Sequence, residues 1–395
     1  MPDDPVSHFA RTNFRNDNRL FGIKQRDRLA HIHIVGKTGV GKSTLLETMI
    51  SQDIEVGRGF ALIDPHGDLA ERVWNRTTAE QRERIAYLDG PNPTQPFGYN
   101  PLRRVSEAKI PLAASGLLET LRKLWPDAWG VRMEHILRNS LYALLEIDDA
   151  RLPDILRLFR DKDFRMRVAR QLQNSQVHGF WRHEFESYPY PMRASAVAPI
   201  QNKLGAMLSD PTLQRILVSP VEDLHFRSLM DGKRGLIVNL AKGQLGEDSA
   251  LVLGSLLVST IGLAAFSRAE MPEDEREPFF LYVDEFHNFT TLAFANMMSE
   301  LRKYGVGLVL AHQHLNQLEP DIRHAVLGNA GTLIAFRVGA EDASFLAREF
   351  QPKFDAQDLM ALANHDIYLK LMIDGRPSLP FSARTIPPEG LPHLA

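Results

Sequence analysis

The stretch Ile32–Leu46, IHIVGKTGVGKSTLL, constrains this chain more than any other. An apolar run, Ile32 to Val35, ends in Gly36-Lys37-Thr38-Gly39-Val40-Gly41-Lys42-Ser43, with Thr44 following. This is the spacing G-x-x-x-x-G-K-[ST] of a phosphate-binding P-loop. Each part has a physical task. Glycines let the backbone wrap an anion so that successive N–H groups point inward. A helix beginning near Lys42 adds the positive end of its dipole. Lys42 is placed for the β- and γ-phosphates of a nucleotide such as ATP, and the Ser43 hydroxyl for Mg²⁺. The amphipathic positions Leu45, Leu46, Met49 and Ile50 supply the helix, so strand, turn and helix occur in the required order.

A length of 395 residues leaves room for one large α/β domain and a second unit. Hydrophobic residues at 44% and charged residues at 24% place the chain with soluble globular proteins. There is no cysteine, which excludes a disulfide framework and any thiolate metal site. The net charge of −3 gives no long-range field that draws in nucleic acid, so a DNA contact must be local, as in a lined channel. The N-terminal residues are polar, without the apolar core of a secretory leader. The expectation is a cytoplasmic protein with no transmembrane segment, placed at most at the periphery of a membrane channel. Ser249–Phe266 approaches a membrane-spanning length but reads as a buried helix.

Along the chain, residues 1–30 read as a polar arm with a short strand near Leu20–Ile23. Phe60–Asp64 and Arg84–Leu88 continue a strand–helix alternation, which means parallel pairing with right-handed crossovers. From 106 to 217 the pattern is helical, with apolar faces at Leu117, Leu118, Leu121, Leu124 and at Ile136, Leu137, Leu141, Leu144, Leu145. That segment is an all-α insertion. The α/β rhythm returns over 218–374, at Leu236–Leu240, Phe279–Asp284, Val306–Ala311 and Thr332–Phe336. Ile367–Ile373 alternates and reads as a half-exposed antiparallel strand near an edge. Residues 375–395, with Pro377, Pro380, Pro387, Pro388 and Pro392, read as an extended tail. The fold class is α/β: a RecA-like P-loop NTPase with a mostly parallel central sheet, residues 31–105 and 218–374, interrupted by the all-α domain.

Two further constellations bear on chemistry. Phe279-Phe280-Leu281-Tyr282-Val283 delivers Asp284 and Glu285 to the end of an apolar strand, the edge at which doubly wound sheets bind ligands. Asp284 suits a Mg²⁺ shell, and Glu285 suits the base that polarises an attacking water. Past the next helix, Arg302 opens Arg302-Lys303-Tyr304-Gly305, and the following strand ends in Ala311-His312-Gln313. A glutamine there can bond a γ-phosphate or its water. An arginine such as Arg302 or Arg337 can stabilise a transferring phosphoryl group, even from a neighbouring subunit.

Taken in order, G-K-T-G-V-G-K-S-T, I-D-P-H-G-D-L, N-P-L, V-D-E-F, L-R-K-Y-G, A-H-Q and F-R-V-G-A-E-D-A resemble the HerA/FtsK superfamily of DNA-pumping ATPases. The resemblance is greatest to the cytosolic ATPase domains of type IV secretion, or conjugative, coupling proteins, and covers about residues 29–373. It implies a ring, usually a homo-hexamer, that hydrolyses ATP with Mg²⁺ at subunit interfaces and translocates DNA held in its channel. Lys42 and Ser43 then correspond to Walker A, and Asp284 and Glu285 to Walker B. Gln313 corresponds to the sensor glutamine, Arg302 to the arginine finger and Arg337 to a second arginine of the site. Asp64 matches the strand-two acid, and the helical insert matches the domain at the ring's mouth. Lys242-Gly243-Gln244 is a candidate contact to the DNA backbone. A different class of function is an ATP-gated scaffold that recruits a nuclease, relaxase or secretion partner without processive movement.

Overall fold

The apolar runs of the sequence become the strands of one sheet. The computed structural model describes residues 5–14 and 17–391, so the first and last few residues of the expected arm and tail, Pro392 included, lie outside the described residues. The described chain divides into two compact units. One runs to Asp89 and takes in Phe226–Lys242 and the segment from Ala264 onward; the other takes in Gly90–His225 and Gly243–Leu263.

The first unit is built on an 11-stranded sheet. Its strands are β1 (Val6–Thr12), β2 (Leu20–Lys24), β3 (Ile32–Val35), β4 (Gly59–Asp64), β5 (Ile85–Asp89), β8 (Gly235–Asn239), β9 (Phe279–Val283), β10 (Val306–His312), β11 (Thr332–Ala335), β12 (Asp366–Lys370) and β15 (Phe381–Thr385). The spatial order is β2-β1-β15-β12-β11-β3-β10-β9-β4-β8-β5. From β11 to β5 every pairing is parallel. β3, β4, β8, β9, β10 and β11 are buried at every residue, as strands covered on both faces must be. This explains why they read as continuous apolar runs rather than alternating ones. In register, Val35 sits opposite His312, Val283 opposite Leu310, and Ile63 opposite Val283. The residues that follow β3, β10, β9 and β4 therefore emerge side by side along one edge.

The structure departs from the expected arm and tail. β1 and β2 pair with each other, and β1 pairs with β15, all antiparallel. β15 also pairs with β12, so β12 is antiparallel as expected but is not near the edge of the sheet. The tail prolines lie outside Phe381–Thr385, and this proline-free pentapeptide is free to donate to both neighbours. Val6–Thr12 has polar residues between apolar ones, Ser7, Phe9 and Ala10 being its fully buried members, and its strand character comes from pairing rather than composition. A short hairpin, β13 (Met372–Ile373) with β14 (Arg376–Pro377), joins β12 to β15.

A buried polar cluster holds the sheet and the P-loop helix together. Arg28 is fully buried and bonds Asp53 in bidentate fashion, at 2.7 and 2.8 Å. It also donates to the Tyr282 hydroxyl, which donates in turn to Asp53. The guanidinium lies 3.6 Å from the centre of the Phe280 ring. Burying such a charge is tolerable only because both terminal nitrogens of the guanidinium are hydrogen-bonded, to Ser7, Gln25, Asp53 and Tyr282.

The second unit is helical, and its limits are wider than the insertion read from the sequence. Two strands at its base, β6 (Phe97–Gly98) and β7 (Glu222–Asp223), pair in parallel and so draw the segments flanking the helices into it. The expected faces form: Leu117, Leu118 and Leu121 are buried on helix Ile110–Leu124, as are Ile136, Leu137, Leu141, Leu144 and Leu145 on Val131–Glu146. Trp181 packs against Phe180 and Phe185, with ring centres 4.9 and 5.0 Å away. The helix Glu247–Ser267 matches the buried helix expected from Ser249–Phe266. By length and composition it is able to cross a membrane, yet 72% of its apolar window is buried.

Candidate functional site

The P-loop stands at the end of β3 as its spacing requires. Gly39 and Gly41 have φ of 76° and 116°, left-handed values that a side chain rarely adopts, and Gly41 caps the helix Lys42–Glu55. Gly36 is pressed against Phe336, where a Cβ would meet another carbon at 2.6 Å. The Lys37 N–H donates to the Arg337 carbonyl at 2.9 Å, tying the loop to the end of β11. Lys42 Nζ donates to the carbonyls of Gly36 and Lys37, at 2.6 and 3.1 Å. Burial lowers the Lys42 ammonium from its ordinary value, and the carboxylates of Glu285 and Asp284 pull it back.

The acids meet the loop across β10. Ser43 Oγ is 3.4 Å from Asp284 Oδ2. Burial, with Asp64 and Glu285 nearby, pushes Asp284 up to about 7, against the opposite pull of Lys42. A carboxylate held this way gains most from a cation at its oxygens. Glu285 has a left-handed backbone, φ 46°, which turns its side chain into the cleft. Its Oε1 accepts from Gln313 Nε2 at 2.7 Å, while its Oε2 makes no hydrogen bond among the described residues and lies 3.5 Å from His287 Nδ1. Gln313 Oε1 accepts from the Thr38 hydroxyl at 2.8 Å. One amide thus links the phosphate loop to the second acid. Behind it, His33 of β3 and His312 of β10 share a 2.8 Å Nε2–Nε2 hydrogen bond, so one Nε2 carries a proton and the other does not. Burial holds His33 at about 4 and His312 well below its ordinary value.

Thr38, Gly39, Gly41, Lys42, Ser43, Thr44, Asp64, Asp284, Glu285 and Gln313 line one cleft of about 400 Å³. Gly36, Lys37 and Val40, though part of the loop, are not among the cleft's lining residues. Asp64 has a structural task there: Oδ1 accepts from the His66 N–H, and Oδ2 accepts from Leu69 and Ala70 N–H at the start of helix Asp68–Arg76. The two expected arginines lie elsewhere. Arg337 donates to the Leu362 carbonyl and to Asn364 Oδ1, at 3.0 and 2.8 Å. Arg302 precedes β10, a seven-residue strand, whereas Gln313 follows it, which separates the two by about 20 Å along the sheet. It is exposed and makes no side-chain hydrogen bond or ion pair among the described residues. The Lys242–Gln244 contact candidate falls in a single helical turn, Lys242–Leu245.

Besides the apolar Leu69, sequence reasoning assigned no role to four residues of the cleft: His66, Asp68, Arg72 and His365. The first three follow β4 in the I-D-P-H-G-D-L segment and the helix it opens, where Arg72 pairs with Glu47 at 2.9 Å. A position at a strand end was the available signal. His365 precedes β12. That strand runs against its neighbours, so its start lies at the same edge as the P-loop.

A P-loop after one strand, and paired acids after a strand separated from it by a single intervening one, define a RecA-like P-loop NTPase fold. A family model described as the central domain of the helicase HerA matches residues 26–257 of the 395, and the chain belongs to that family. A second, described as the TraM recognition site of TraD and TraG, matches residues 278–349. Among curated proteins no match is found. The structure is similar to the plasmid coupling protein TrwB in complex with a non-hydrolysable ATP analogue, at 16% identity over 94% of this chain and 89% of that one, TM-score 0.63. It is similar to TrwB in complex with ADP and Mg²⁺, at 15% identity over 95% of each chain, TM-score 0.63. VirB4 of Thermoanaerobacter pseudethanolicus matches at 13% identity over 100% of this chain and 99% of that one, TM-score 0.64. At such identities the likeness is one of fold.

Proposed function

We propose that this chain is an ATP hydrolase that assembles as a ring, a homo-hexamer, and moves DNA through its centre. The observation that carries the reading is the chain of contacts Thr38–Gln313–Glu285 beside Lys42 and the Ser43–Asp284 pair. Lys42 exchanges the loop carbonyls for β- and γ-phosphate oxygens, which are stronger partners for an ammonium. The loop N–H groups and the dipole of helix Lys42–Glu55 hold the remaining phosphate charge. The donor set of a hydroxyl and a carboxylate fits a hard cation, and Ser43 and Asp284 would hold Mg²⁺. When bound, that ion neutralises charge on the phosphate oxygens.

Glu285 keeps one carboxylate oxygen fixed by Gln313, and the other, buried and without a hydrogen bond among the described residues, is left to orient a water and take its proton when the cleft is occupied. Gln313 bonds both the loop and the base, so a change at the γ-phosphate reaches the end of β10. Arg302 cannot reach its own cleft, but a ring interface brings two different surfaces of neighbouring copies together. In this reading Arg302 enters the next subunit's cleft as its finger. DNA contacts from segments such as Lys242–Gln244 would be to phosphate, salt-dependent and sequence-blind. A nuclease, relaxase or secretion component is the partner class that the resemblance to coupling proteins supports.

The test is native mass measurement with an ATP analogue, with and without DNA, joined to turnover assays. A ring and DNA-stimulated hydrolysis are expected. Mixing Arg302→Ala with Lys42→Ala protein should restore part of the activity that each lacks alone. A monomer with full turnover, or confirmed mixed rings without rescue, would overturn the reading.

A further inference from the structure

The P-loop has a neighbour that its motifs do not explain. His365 lies between helix Ala356–Ala361 and β12, and its imidazole lines the cleft. Its backbone is left-handed, with φ 70°, a conformation that a residue with a side chain keeps only when its surroundings impose it. The surroundings do so from three sides. The His365 N–H donates to the Val40 carbonyl of the P-loop at 2.8 Å, and its carbonyl accepts from the Thr385 N–H at 2.8 Å and the Thr385 hydroxyl at 3.2 Å. Just upstream, Arg337 bonds the Leu362 carbonyl and Asn364. The outcome is a ring held against the loop: a Cβ on Gly41 would come within 2.7 Å of His365 Nδ1.

Strand order indicates which end of a ligand this ring meets. β3 lies between β10 and β11. Gln313, Asp284, Glu285 and Asp64 all emerge on the β10–β9–β4 flank, so a terminal phosphate and its cation belong there. His365 and Arg337 stand on the other flank, with β11 and β12. A nucleotide seated with its last phosphate toward the acids extends its nucleoside toward His365. We propose that His365 contacts the nucleoside, its imidazole packing on the ribose and base, and that Arg337 is a positioning residue that holds the 362–364 turn beneath it. The inference rests on reading the cleft as a nucleotide site.

The test compares MgATP with magnesium tripolyphosphate, which has the phosphates and no nucleoside, by titration calorimetry. The proteins are wild type, Lys42→Ala, His365→Ala, His365→Asn and Arg337→Gln, with thermal melting as the check of fold. Asparagine tolerates the left-handed backbone and so separates loss of the ring from loss of the turn. Both His365 variants are expected to bind MgATP roughly 10-fold more weakly, the scale of one ring-stacking contact, and tripolyphosphate within about two-fold of wild type. Arg337→Gln should follow the same pattern more weakly. Unchanged ATP affinity in both His365 variants, or equal loss for the two ligands, overturns the proposal. Undiminished ATP binding by Lys42→Ala overturns instead the nucleotide reading beneath it.

Discussion

Acid should weaken this fold through a histidine far from the cleft, and the size of the effect follows from its contacts. His31 immediately precedes β3, with φ 67°, and is 3% exposed. Its Nε2 bonds the Met298 carbonyl at 2.8 Å, and its Nδ1 accepts from the Leu308 N–H at 3.1 Å. Only the neutral ring with its proton on Nε2 makes both bonds; protonating Nδ1 sets two donors face to face. Burial lowers the imidazole from 6.5 to about 4, assisted by Arg302 and opposed by the Met298 carbonyl. Between those values the unfolded chain binds the proton that the folded one refuses. Stability from this group is therefore present above 6.5 and is lost as pH falls toward 4. At pH 5 the loss comes to about 2 kcal/mol, from a 1.36 kcal/mol weight per unit of pKa difference.

The perturbation is His31→Asn, which keeps a residue tolerant of the left-handed backbone. Urea melts of wild type and variant at pH 7.5 and pH 5.0 give four stabilities. The variant should be weaker at pH 7.5 by about 1–3 kcal/mol, the cost of leaving buried groups unpaired. Wild type should then lose about 2 kcal/mol more than the variant on acidification. Other titrating groups are shared and cancel. Equal losses in the two proteins would refute the argument that the buried ring resists its proton.

Glu285→Gln should retain ATP binding while hydrolysis falls by roughly 10²- to 10⁴-fold, the range for a lost general base; phosphate release in single turnover reads it. Gln313→Ala strips Glu285 Oε1 of its donor and Thr38 of its acceptor, and should cost about 1–3 kcal/mol in a urea melt as well as turnover. A double-mutant cycle with Thr38→Ala should show that the two effects are not additive. Asp64→Ala removes the acceptor of three backbone N–H groups and should lower stability by about 2 kcal/mol, with Asp64→Asn milder because one oxygen remains; thermal melts compare the two.

What the sequence made legible was the part of the molecule governed by local pattern. β3, β4, β8, β9 and β10 are doubly covered and appear as unbroken apolar runs. The P-loop and the acid pair are short and contiguous. β1 and β15 escaped, because a strand such as Phe381–Thr385 is defined by partners hundreds of residues away, as in Arg11 opposite Arg384. The same limit hid the Gln313–Glu285 bond, which depends on register between β10 and β9. It also hid the cap made by Asp64, where an acid that resembles a catalytic one binds backbone N–H groups. Arg337 shows the converse: a residue type and position suited to a phosphate, with its guanidinium already engaged by the turn at 362–364. His365 sits in a loop without periodicity, and only the reversed direction of β12 signals where that loop must lie.

The Arg28–Asp53–Tyr282 cluster has a mechanical consequence. Asp53 lies ten residues past Ser43 on one helix, a span of about 15 Å. Tyr282 lies two residues before Asp284 on β9. Helix and strand are thus bolted together at one end by the Tyr282–Asp53 hydrogen bond, with Arg28 bonded to both residues, and meet again at the other through Ser43 and Asp284. Two fastenings so far apart forbid hinging between them. Whatever flexes when this cleft opens or shuts must do so outside that frame, along β10, β11 and the turns that follow them.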